Sequence, residues 1–426
     1  MSTVILQVGQ CGNQIGHEFW KTLCATNEGR QPMCSVHAYF SHDSKFRSVN
    51  VDSEPKVIRK IYKDGCDSAG MRTSGTAAAS YRETNMIMGR CGRANNWAMG
   101  YHSRSEAMVE RTMSALRKEI EKCDYFSGVV SLHSLSGGTG SGLGSRLCEA
   151  FRDEYPLNYQ MSVVVSPFPS GESPMQHYNT LLALSTLQGN SDAVVLFQND
   201  DVLWRLQKQR ELKKNQSVSL TQINRHVATC LGGMILPVDS VSGISAATIG
   251  MEPWECVRSL CPMPNLKFLH VNFVEYLRTN PSMSWEDVTS SLLHLLKRQH
   301  PDGSVYKSLA NLVVARGSEP FGAALKNVEA RVKAAYSTVP WNPFPVDFWT
   351  EKYGTDGRQN MTSMMMATNY SNVLPFLENN LERAREKFDA RAYVHWYEKS
   401  GCSTSDMCEA FDKVQMVVDD YKEAIS

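Results

Sequence analysis

Net charge is the first thing that this sequence lacks. Its 44 lysines and arginines are balanced by 44 aspartates and glutamates, and no block of five like charges occurs. Binding that is driven by charge, to nucleic acid or to an anionic membrane surface, needs a basic patch or stripe. We therefore expect neither nucleic acid nor a membrane among the partners of this protein.

Long apolar runs and closely paired cysteines are also missing. No stretch approaches the roughly 18 apolar residues of a membrane-spanning helix, and the segment Met1–Val4 lacks the basic and apolar regions of a secretion signal. The 12 cysteines never recur at the two-residue spacing of zinc sites or redox dithiols. We therefore expect free thiols that pack as small apolar groups, in a cytoplasmic protein.

The first half of the chain alternates between strand and helix patterns. Short apolar runs end in polar or glycine-rich loops, and apolar residues at helical spacing follow. The strands that this pattern predicts are Thr3–Val8, Gly128–Leu135, Met161–Val165 and Asp192–Phe197. Such alternation is typical of an α/β fold with a Rossmann-like, mostly parallel sheet covered on both faces. Ligands of these sheets bind beyond the carboxyl ends of the strands.

The pattern changes after about residue 205. Ten prolines punctuate shorter apolar runs between Pro237 and Pro345, which predicts a mixed α/β domain. From residue 371 onward the apolar spacing is helical and predicts a hairpin of two helices. At roughly 150 residues per domain, a chain of 426 residues has room for two or three domains. We therefore predict boundaries that give 1–205, 206–370 with a connecting core helix, and 371–426.

A glycine-rich loop follows the second predicted strand. Four glycines lie within six residues of the segment Ser136–Gly142, between an apolar strand and a helix. Uncovered backbone N–H groups at the positive end of a helix dipole bind phosphate, whereas turning the chain alone needs fewer glycines. The sequence has no lysine-bearing loop of the form G-x-x-x-x-G-K-[S/T], and its glycine spacing does not fit G-x-G-x-x-G. The loop predicts a phosphate site of another kind and disfavours an enzyme that uses a dinucleotide.

Two motifs resemble the tubulin family. The loop Ser136–Gly142 (SGGTGSG) is similar to the signature loop of that family, and Gln7–Gly16 (QVGQCGNQIG) is similar to its amino-terminal strand and helix. Further similar segments are Val51–Pro55, Asn95–Ala98, Tyr178–Asn179, Leu260–Pro264 and Phe388–Tyr397. The resemblance spans the whole chain. It implies a GTP-binding domain, an intermediate domain and two carboxy-terminal helices.

The resemblance implies how the phosphates and a metal are held. Gln10, Asp52 and Glu54 would bind Mg²⁺ through water, which suits an ion that prefers oxygen ligands and keeps its waters. Segment 94–96 would donate to the γ-phosphate, and segment 136–142 would wrap the β-phosphate. The implied nucleotide-binding residues of this end are Gly9, Gln10, Cys11, Glu54, Ala94, Asn95, Asn96, Ser136, Gly137, Gly138, Thr139, Gly140, Ser141 and Gly142.

Four further residues would bind the sugar and the base. Asn199 and Asn224 would hydrogen-bond the guanine edge, because an amide both donates and accepts. Glu172 would accept a hydrogen bond from a ribose hydroxyl. Leu220 stands where the family commonly stacks an aromatic ring on the base, so a stacking energy of about 1 kcal/mol is lost here. The resemblance thus implies GTP or GDP and Mg²⁺ as cofactors.

Hydrolysis is left open by the resemblance. In the family the next subunit of a filament completes the nucleotide site, and Glu255, with Glu252 beside it, stands where the alpha-type subunit has its catalytic glutamate. These carboxylates would orient water in a neighbour's site, which implies a weak, assembly-dependent GTPase. The alternative is that both are solvated carboxylates beside Pro253 in the first turn of a helix.

The type of tubulin is suggested by the segment 166–184. It is more similar to delta, epsilon and zeta tubulins than to alpha, beta or gamma, and the sequence shows no glutamate-rich tail. The resemblance implies a cytoskeletal protein of microtubules that associates longitudinally with itself or other tubulins and meets centriolar, basal-body or cilium proteins. The alternative is an adaptor that keeps the fold but turns over little or no nucleotide, as Leu220 and the missing tail suggest.

Overall fold

The computed structural model describes most of the chain, namely residues 2–27, 38–67, 80–102, 106–169, 173–209, 217–236, 238, 240–241, 253–277, 284–296, 303, 305–317, 324–351 and 361–426. Its strands are β1 (Ser2–Val8), β2 (Ser48–Asp52), β3 (Met86–Met88), β4 (Phe126–Ser134), β5 (Tyr159–Ser166), β6 (Ala193–Gln198), β7 (Ser240–Val241), β8 (Phe268–Leu277), β9 (Ser308–Arg316), β10 (Val346–Glu351) and β11 (Met361–Tyr370). The four strands predicted for the first half are confirmed as β1, β4, β5 and β6.

These strands form one sheet in the order β3-β2-β1-β4-β5-β6-β8-β11-β9-β10-β7. The strands from β3 to β8 in that order are all parallel. The antiparallel strand β11 then lies between β8 and β9. The expected α/β fold with a mostly parallel sheet is therefore confirmed, and the sheet continues into the second half of the chain.

Helices cover both faces of the sheet. They are α1 (Gly9–Asn27), α2 (Pro55–Asp67), α3 (Trp97–Tyr101), α4 (Glu106–Ile120), α5 (Gly144–Glu154), α6 (Gln176–Asn190), α7 (Asn199–Gln209), α8 (Leu220–Ile235), α9 (Pro253–Leu260), α10 (Trp285–His294), α11 (Leu325–Tyr336), α12 (Leu374–Asp389), α13 (Val394–Glu398) and α14 (Thr404–Ile425). In β1, Ile5 packs into the core that α1 and α8 share, whereas Val4 and Leu6 pack into the core of α4 and α5. Burial on both faces explains why this strand is apolar throughout.

The carboxy-terminal helices α12 and α14 pack on α6 and on each other. Leu377 and Leu381 of α12 share a core with Phe411 and Val418 of α14 and with Leu184 of α6. The expected helical hairpin is therefore present, with the short helix α13 between its two arms. None of the helices in the described part of the chain combines the length and the apolar character that crossing a bilayer requires.

The sheet continues across the predicted domain boundary at residue 205. β6 pairs in parallel with β8, with Val194 opposite Phe268 and Val195 opposite Leu269. The core helix α8 packs on α1 and also on β8 and β11. The division into three parts stays a prediction.

Candidate functional site

A polar cleft of about 520 Å³ lies at the carboxyl ends of the parallel strands. Five of these strands contribute a residue to its wall: Gln10 follows β1, Asp52 ends β2, Ser134 ends β4, Val165 lies near the end of β5, and Asn199 follows β6. The ends of parallel strands meet at one edge, where the sheet opens to ligands. The cleft therefore lies where the sequence predicts a ligand.

Most of the predicted nucleotide and metal residues line this cleft. They are Gln10, Cys11, Asp52, Glu54, Ala94, Asn95, Ser136, Gly137, Gly138, Thr139, Gly140, Asn199, Leu220 and Asn224. Ser141 and Gly142 are buried in the same glycine turn without lining the cleft. The side chain of Asn96 is buried and caps α3, where it accepts a hydrogen bond from Met99 N at 3.3 Å. Glu172 lies outside the described residues.

The glycine-rich loop forms a π-helical turn, Gly138–Leu143, ahead of α5. The backbone N–H and the hydroxyl of Ser141 both donate to the carbonyl oxygen of Gly137, at 2.8 and 2.7 Å. A Cβ atom on Gly138 would lie 2.6 Å from the carbonyl oxygen of Arg93 and 2.8 Å from the nitrogen of Asn96. Only glycine fits there, so the turn presents bare backbone to the cleft, as a phosphate site requires.

Gly9 joins β1 to α1 directly against this turn. Its φ of +72° is in the left-handed region, which a residue with a side chain adopts only at a cost. A Cβ atom on Gly9 would lie 3.0 Å from the nitrogen of Gly140. Gly9 itself does not line the cleft. Because it has no side chain, the start of α1 can lie close to the glycine turn, and both of these segments line the cleft.

The loop before α3 is held in an unusual conformation. Ala94 and Asn95 both have positive φ angles, of 47° and 50°, although neither is glycine. Asn179 of α6 fixes this loop, since its Nδ2 donates to the carbonyl oxygens of Asn95 and Ser136, both at 2.7 Å. In the sequence, Tyr178–Asn179 was only one segment of a resemblance, and no role was predicted for it.

Two carboxylates and an amide stand together on one wall. Asp52 is 4% exposed, and burial, assisted by the negative charge of Glu54, raises the pKa of Asp52 to about 6 even though its Oδ1 accepts from the Glu54 backbone N–H at 3.2 Å. A nearby cation would favour the charged carboxylate, so Gln10, Asp52 and Glu54 fit Mg²⁺ as oxygen ligands. The described residues contain no group of three or more acidic, histidine or cysteine side chains that encloses a metal ion. The remaining ligands of such an ion would be water and phosphate.

The opposite end of the cleft is made by α1, α7 and α8. Asn199 begins α7, and Asn224 of α8 donates from Nδ2 to Gln14 Oε1 of α1 at 3.2 Å. Leu220 begins α8 after Ser219, which caps the helix, and Leu220 is 59% exposed. This end of the cleft is therefore lined by a leucine face and two amides instead of bare backbone, a lining that suits a base rather than a phosphate.

Several residues that line the cleft were not predicted from the sequence. They are Gln14, Lys56, Val57, Arg93, Ser134, Val165, Pro167, Ser173 and Gln176. Lys56 and Arg93 are the cationic side chains among them. Lys56 follows Glu54–Pro55 and Arg93 precedes Ala94, so their closeness in sequence to predicted residues could have identified them. Arg93 is 8% exposed, and its guanidinium lies 3.6 Å from Met108 Sδ.

The candidate catalytic acid lies elsewhere. Glu255 is in the first turn of α9 and does not line the cleft. Its side chain is 3% exposed, and Oε2 is 4.0 Å from the guanidinium of Arg258. Burial of Glu255 does not match the solvated alternative that the sequence left open. Glu252 lies outside the described residues.

Comparisons with known proteins indicate a GTPase domain in the half of the chain that supplies most residues of this cleft. Residues 2–205 match the model of the Tubulin/FtsZ family GTPase domain. The chain is 28% identical to the human tubulin delta chain over an alignment that covers 99% of both, and 27% identical to the mouse delta chain with the same coverage. It is 26% identical to the tubulin beta-2 chain of Suillus bovinus, with 99% of this chain and 95% of that one covered. Residues 2–205 therefore form a GTPase domain of the Tubulin/FtsZ family, and the chain as a whole is similar to tubulin delta chains.

Proposed function

We propose that the cleft holds GTP or GDP together with Mg²⁺, and that the protein associates end to end with itself or other tubulins in centriole, basal-body or cilium microtubules. One observation carries the nucleotide part: a bare-backbone glycine turn lies at one end of the cleft and two asparagines at the other. A volume of about 520 Å³ is within the usual range for small-molecule sites.

The phosphates fit the end that contains the glycine turn. Gly137, Gly138 and Gly140 face the cleft without side chains, and Thr139 between them adds a hydroxyl that is 2.5 Å from the hydroxyl of Ser53. The loop at Ala94 and Asn95 stands beside it as the proposed γ-phosphate contact. Base and ribose then extend toward Asn199 and Asn224.

Mg²⁺ fits the wall formed by Gln10, Asp52 and Glu54, through its water shell. When bound, the ion neutralises phosphate charge and fixes the geometry of the phosphate chain. The three side chains orient its waters, and the raised pKa of Asp52 is consistent with a carboxylate that is not yet matched by a cation. Chelation with EDTA is expected to weaken GTP binding in wild type, and Asp52→Asn is expected to reduce that effect.

Hydrolysis in this proposal depends on assembly. Glu255, with Glu252, would orient the attacking water in the site of a neighbouring subunit, so one isolated copy has no complete active site. The carboxylate of Glu255 is 3% exposed, and assembly must therefore uncover it. We expect phosphate release to rise with protein concentration and to be abolished by Glu255→Gln without loss of GTP binding.

The first test is the identity of the small molecule that the protein carries. Protein purified without added nucleotide is denatured, and the released material is identified by chromatography. Roughly one equivalent of GDP or GTP supports the proposal, and Asn224→Ala should release less. Sedimentation velocity at increasing concentration then tests end-to-end association, and localisation of a tagged chain to centrioles or basal bodies tests the cellular role.

An adaptor with the tubulin fold but little or no nucleotide turnover is the second candidate. It is favoured by Leu220, which offers the base an aliphatic face that is 59% exposed where the family commonly has an aromatic ring. A folded protein that stays empty after incubation with GTP and Mg²⁺ would overturn the GTPase proposal in favour of the adaptor.

A further inference from the structure

We propose that Asn179 and Tyr397 act as a positioning pair that links the carboxy-terminal helix α13 to the loop at Ala94 and Asn95, and so sets the preference of the cleft for GTP over GDP. Neither residue lines the cleft. The inference rests on the proposed placement of the γ-phosphate against this loop.

The side-chain amide of Asn179 has every hydrogen bond that it can make. Its two N–H bonds point to the carbonyl oxygens of Asn95 and Ser136, and its oxygen accepts from Trp97 N at 2.8 Å and from the Tyr397 hydroxyl at 2.6 Å. A primary amide has two donors and two acceptor sites, so the set is complete. Asn179 is fully buried, and no water can replace a lost partner without a rearrangement.

The bonds of Asn179 join three segments that are distant in sequence. They connect α6 with the loop before α3, with the first residue of the glycine-rich segment, and with α13. The two phosphate-facing segments therefore share one anchor. Because Ala94 and Asn95 hold left-handed angles that cost free energy, a loop that loses this anchor is expected to relax.

Tyr397 fixes the anchor from the other side. It is fully buried, its ring packs edge-on against Tyr178 with centroids 5.4 Å apart, and burial raises the pKa of its hydroxyl well above the ordinary value, so it stays a donor. Its neighbour Trp396 is 51% exposed, and the Trp396 carbonyl oxygen accepts from Asn96 Nδ2 at 3.5 Å. The short helix α13 therefore contacts the loops of the cleft through the buried Tyr397 and exposes Trp396 to solvent.

Tyr178 provides a matched control. Its hydroxyl also joins α6 to the carboxy-terminal segment, by donating to the Ala392 carbonyl oxygen at 3.1 Å, and its side chain is also buried. It makes no bond to the amide of Asn179. Tyr178→Phe and Tyr397→Phe thus each remove one hydroxyl from the same interface, and only the second removes one from the proposed pair.

The experiment measures the dissociation constants of GTP and GDP for wild type, Tyr397→Phe and Tyr178→Phe, with melting temperatures as the measure of folding. Loss of one hydrogen bond corresponds to a change of about three- to tenfold. We expect Tyr397→Phe to weaken GTP by that factor and GDP by less than twofold, and Tyr178→Phe to leave the ratio of the two constants unchanged. Asn179→Asp, which turns a carboxylate toward two carbonyl oxygens, should weaken GTP more than tenfold.

Equal weakening of GTP and GDP in Tyr397→Phe, or the same ratio in both tyrosine variants, would overturn the positioning pair and leave the proposed nucleotide site intact. Wild type that binds neither nucleotide would overturn the proposed function and this inference with it. Hydrogen exchange in wild type tests the link without a substitution. Since coupling is reciprocal, the peptide 390–400 should be better protected with GTP than with GDP. Equal protection would also contradict the pair.

Discussion

Asn224 of α8 donates from its side-chain nitrogen to the side-chain oxygen of Gln14 in α1, across 3.2 Å. This bond uses an amide donor of Asn224 and leaves its Oδ1 oxygen available to the cleft that both residues line. Guanine presents N–H donors on the edge where adenine presents an acceptor and an amino group. An oxygen held toward the base therefore favours guanine.

Gln14→Met should weaken this selection. Without its partner, the Asn224 amide is free to rotate, and we expect the ratio of ATP to GTP dissociation constants to fall about tenfold, the size expected when a buried polar partner is lost. Competition binding with both nucleotides measures the ratio. Gln188→Met, which removes a bond to the Asn265 carbonyl oxygen far from the cleft, is the control and should leave the ratio unchanged. An unchanged ratio in Gln14→Met would contradict the assignment.

Leu220→Tyr should strengthen guanine binding. An aromatic ring at the first residue of α8 would stack on the base, and stacking contributes about 1 kcal/mol, or roughly a fivefold lower dissociation constant. Titration of a fluorescent GDP analogue measures the gain. Leu157→Tyr is the control, because Leu157 is 98% exposed and does not line the cleft. Equal affinity of both variants would show that the base does not lie on Leu220.

Gly9→Ala should destabilise the protein and reduce nucleotide binding together. The left-handed φ costs roughly 1–2 kcal/mol for a residue with a side chain, and the new Cβ would press on Gly140. Gly189→Ala is the opposite case, since Gly189 lies in α6 and a Cβ atom there would meet nothing within 4 Å apart from the adjacent residues and backbone of its own helix, so it should stabilise by about 0.5–1 kcal/mol. Urea denaturation measures both. A neutral Gly9→Ala would contradict the close approach to the glycine turn.

Much of the fold of the first half of the chain could be predicted from the sequence. Its strands β1, β4, β5 and β6 are buried on both faces, so each of them is a run of apolar residues in the sequence. β2 was missed, since its polar residues interrupt that pattern. Asn50 of β2 is nevertheless buried, and its Nδ2 donates to Gln7 Oε1 and Asn13 Oδ1, both at 3.0 Å. A buried polar strand is recognisable only when its distant partners are known.

The same limit applies to the site. Glycine-rich segments that line the cleft with bare backbone, such as Gly137–Gly140, have a local signature in their composition, so their place in the cleft could be predicted. Asn179 has none, because its four partners come from three other parts of the chain. Gln14 was inside a recognised motif, but its role depends on Asn224, which is 210 residues away along the chain. Residues that act by holding others need the tertiary structure to be found.

His133 predicts a loss of stability in mild acid. This residue is fully buried near the end of β4, and burial lowers the pKa of its imidazole from 6.5 to about 4. Between these values the unfolded chain binds a proton that the folded chain does not. Stability is therefore complete above pH 6.5 and falls as the pH drops toward 4.

At pH 5 this loss corresponds to about 2 kcal/mol for His133. His133→Gln should lose less of its free energy of unfolding than wild type does between pH 7 and pH 5, in urea titrations at both values. Burial also lowers the pKa of His17 to about 4, so His17→Gln should reduce the loss of unfolding free energy between pH 7 and pH 5 by a similar amount. Identical losses in wild type and both variants would contradict the prediction.

Glu119 should be among the costly residues to truncate. Its side chain is fully buried and accepts from Arg82 Nε at 3.1 Å and from Asn85 Nδ2 at 3.0 Å. Glu119→Ala removes one acceptor from each of these donors, while Arg82 keeps its pair with Asp43 and Asn85 keeps its bond to the Ser48 carbonyl oxygen, so the expected cost is about 1–3 kcal/mol. Glu154→Ala breaks a closer ion pair, 2.7 Å from Arg117, but that arginine is 54% exposed, so a much smaller loss of stability is expected. Similar urea midpoints for both variants would contradict this ranking.

The parallel pairing of β6 with β8 has a consequence for how the chain emerges during synthesis. Val194 and Val195 find their partners Phe268 and Leu269 more than 70 residues later, after the last residue of the matched GTPase segment. Until those partners leave the ribosome, β6 is an open strand edge with unpaired N–H and carbonyl groups, which invites pairing with other chains. A shortened chain that ends at residue 205 keeps that edge permanently and is therefore expected to aggregate, and it also lacks the part of the cleft that Leu220 and Asn224 of α8 form.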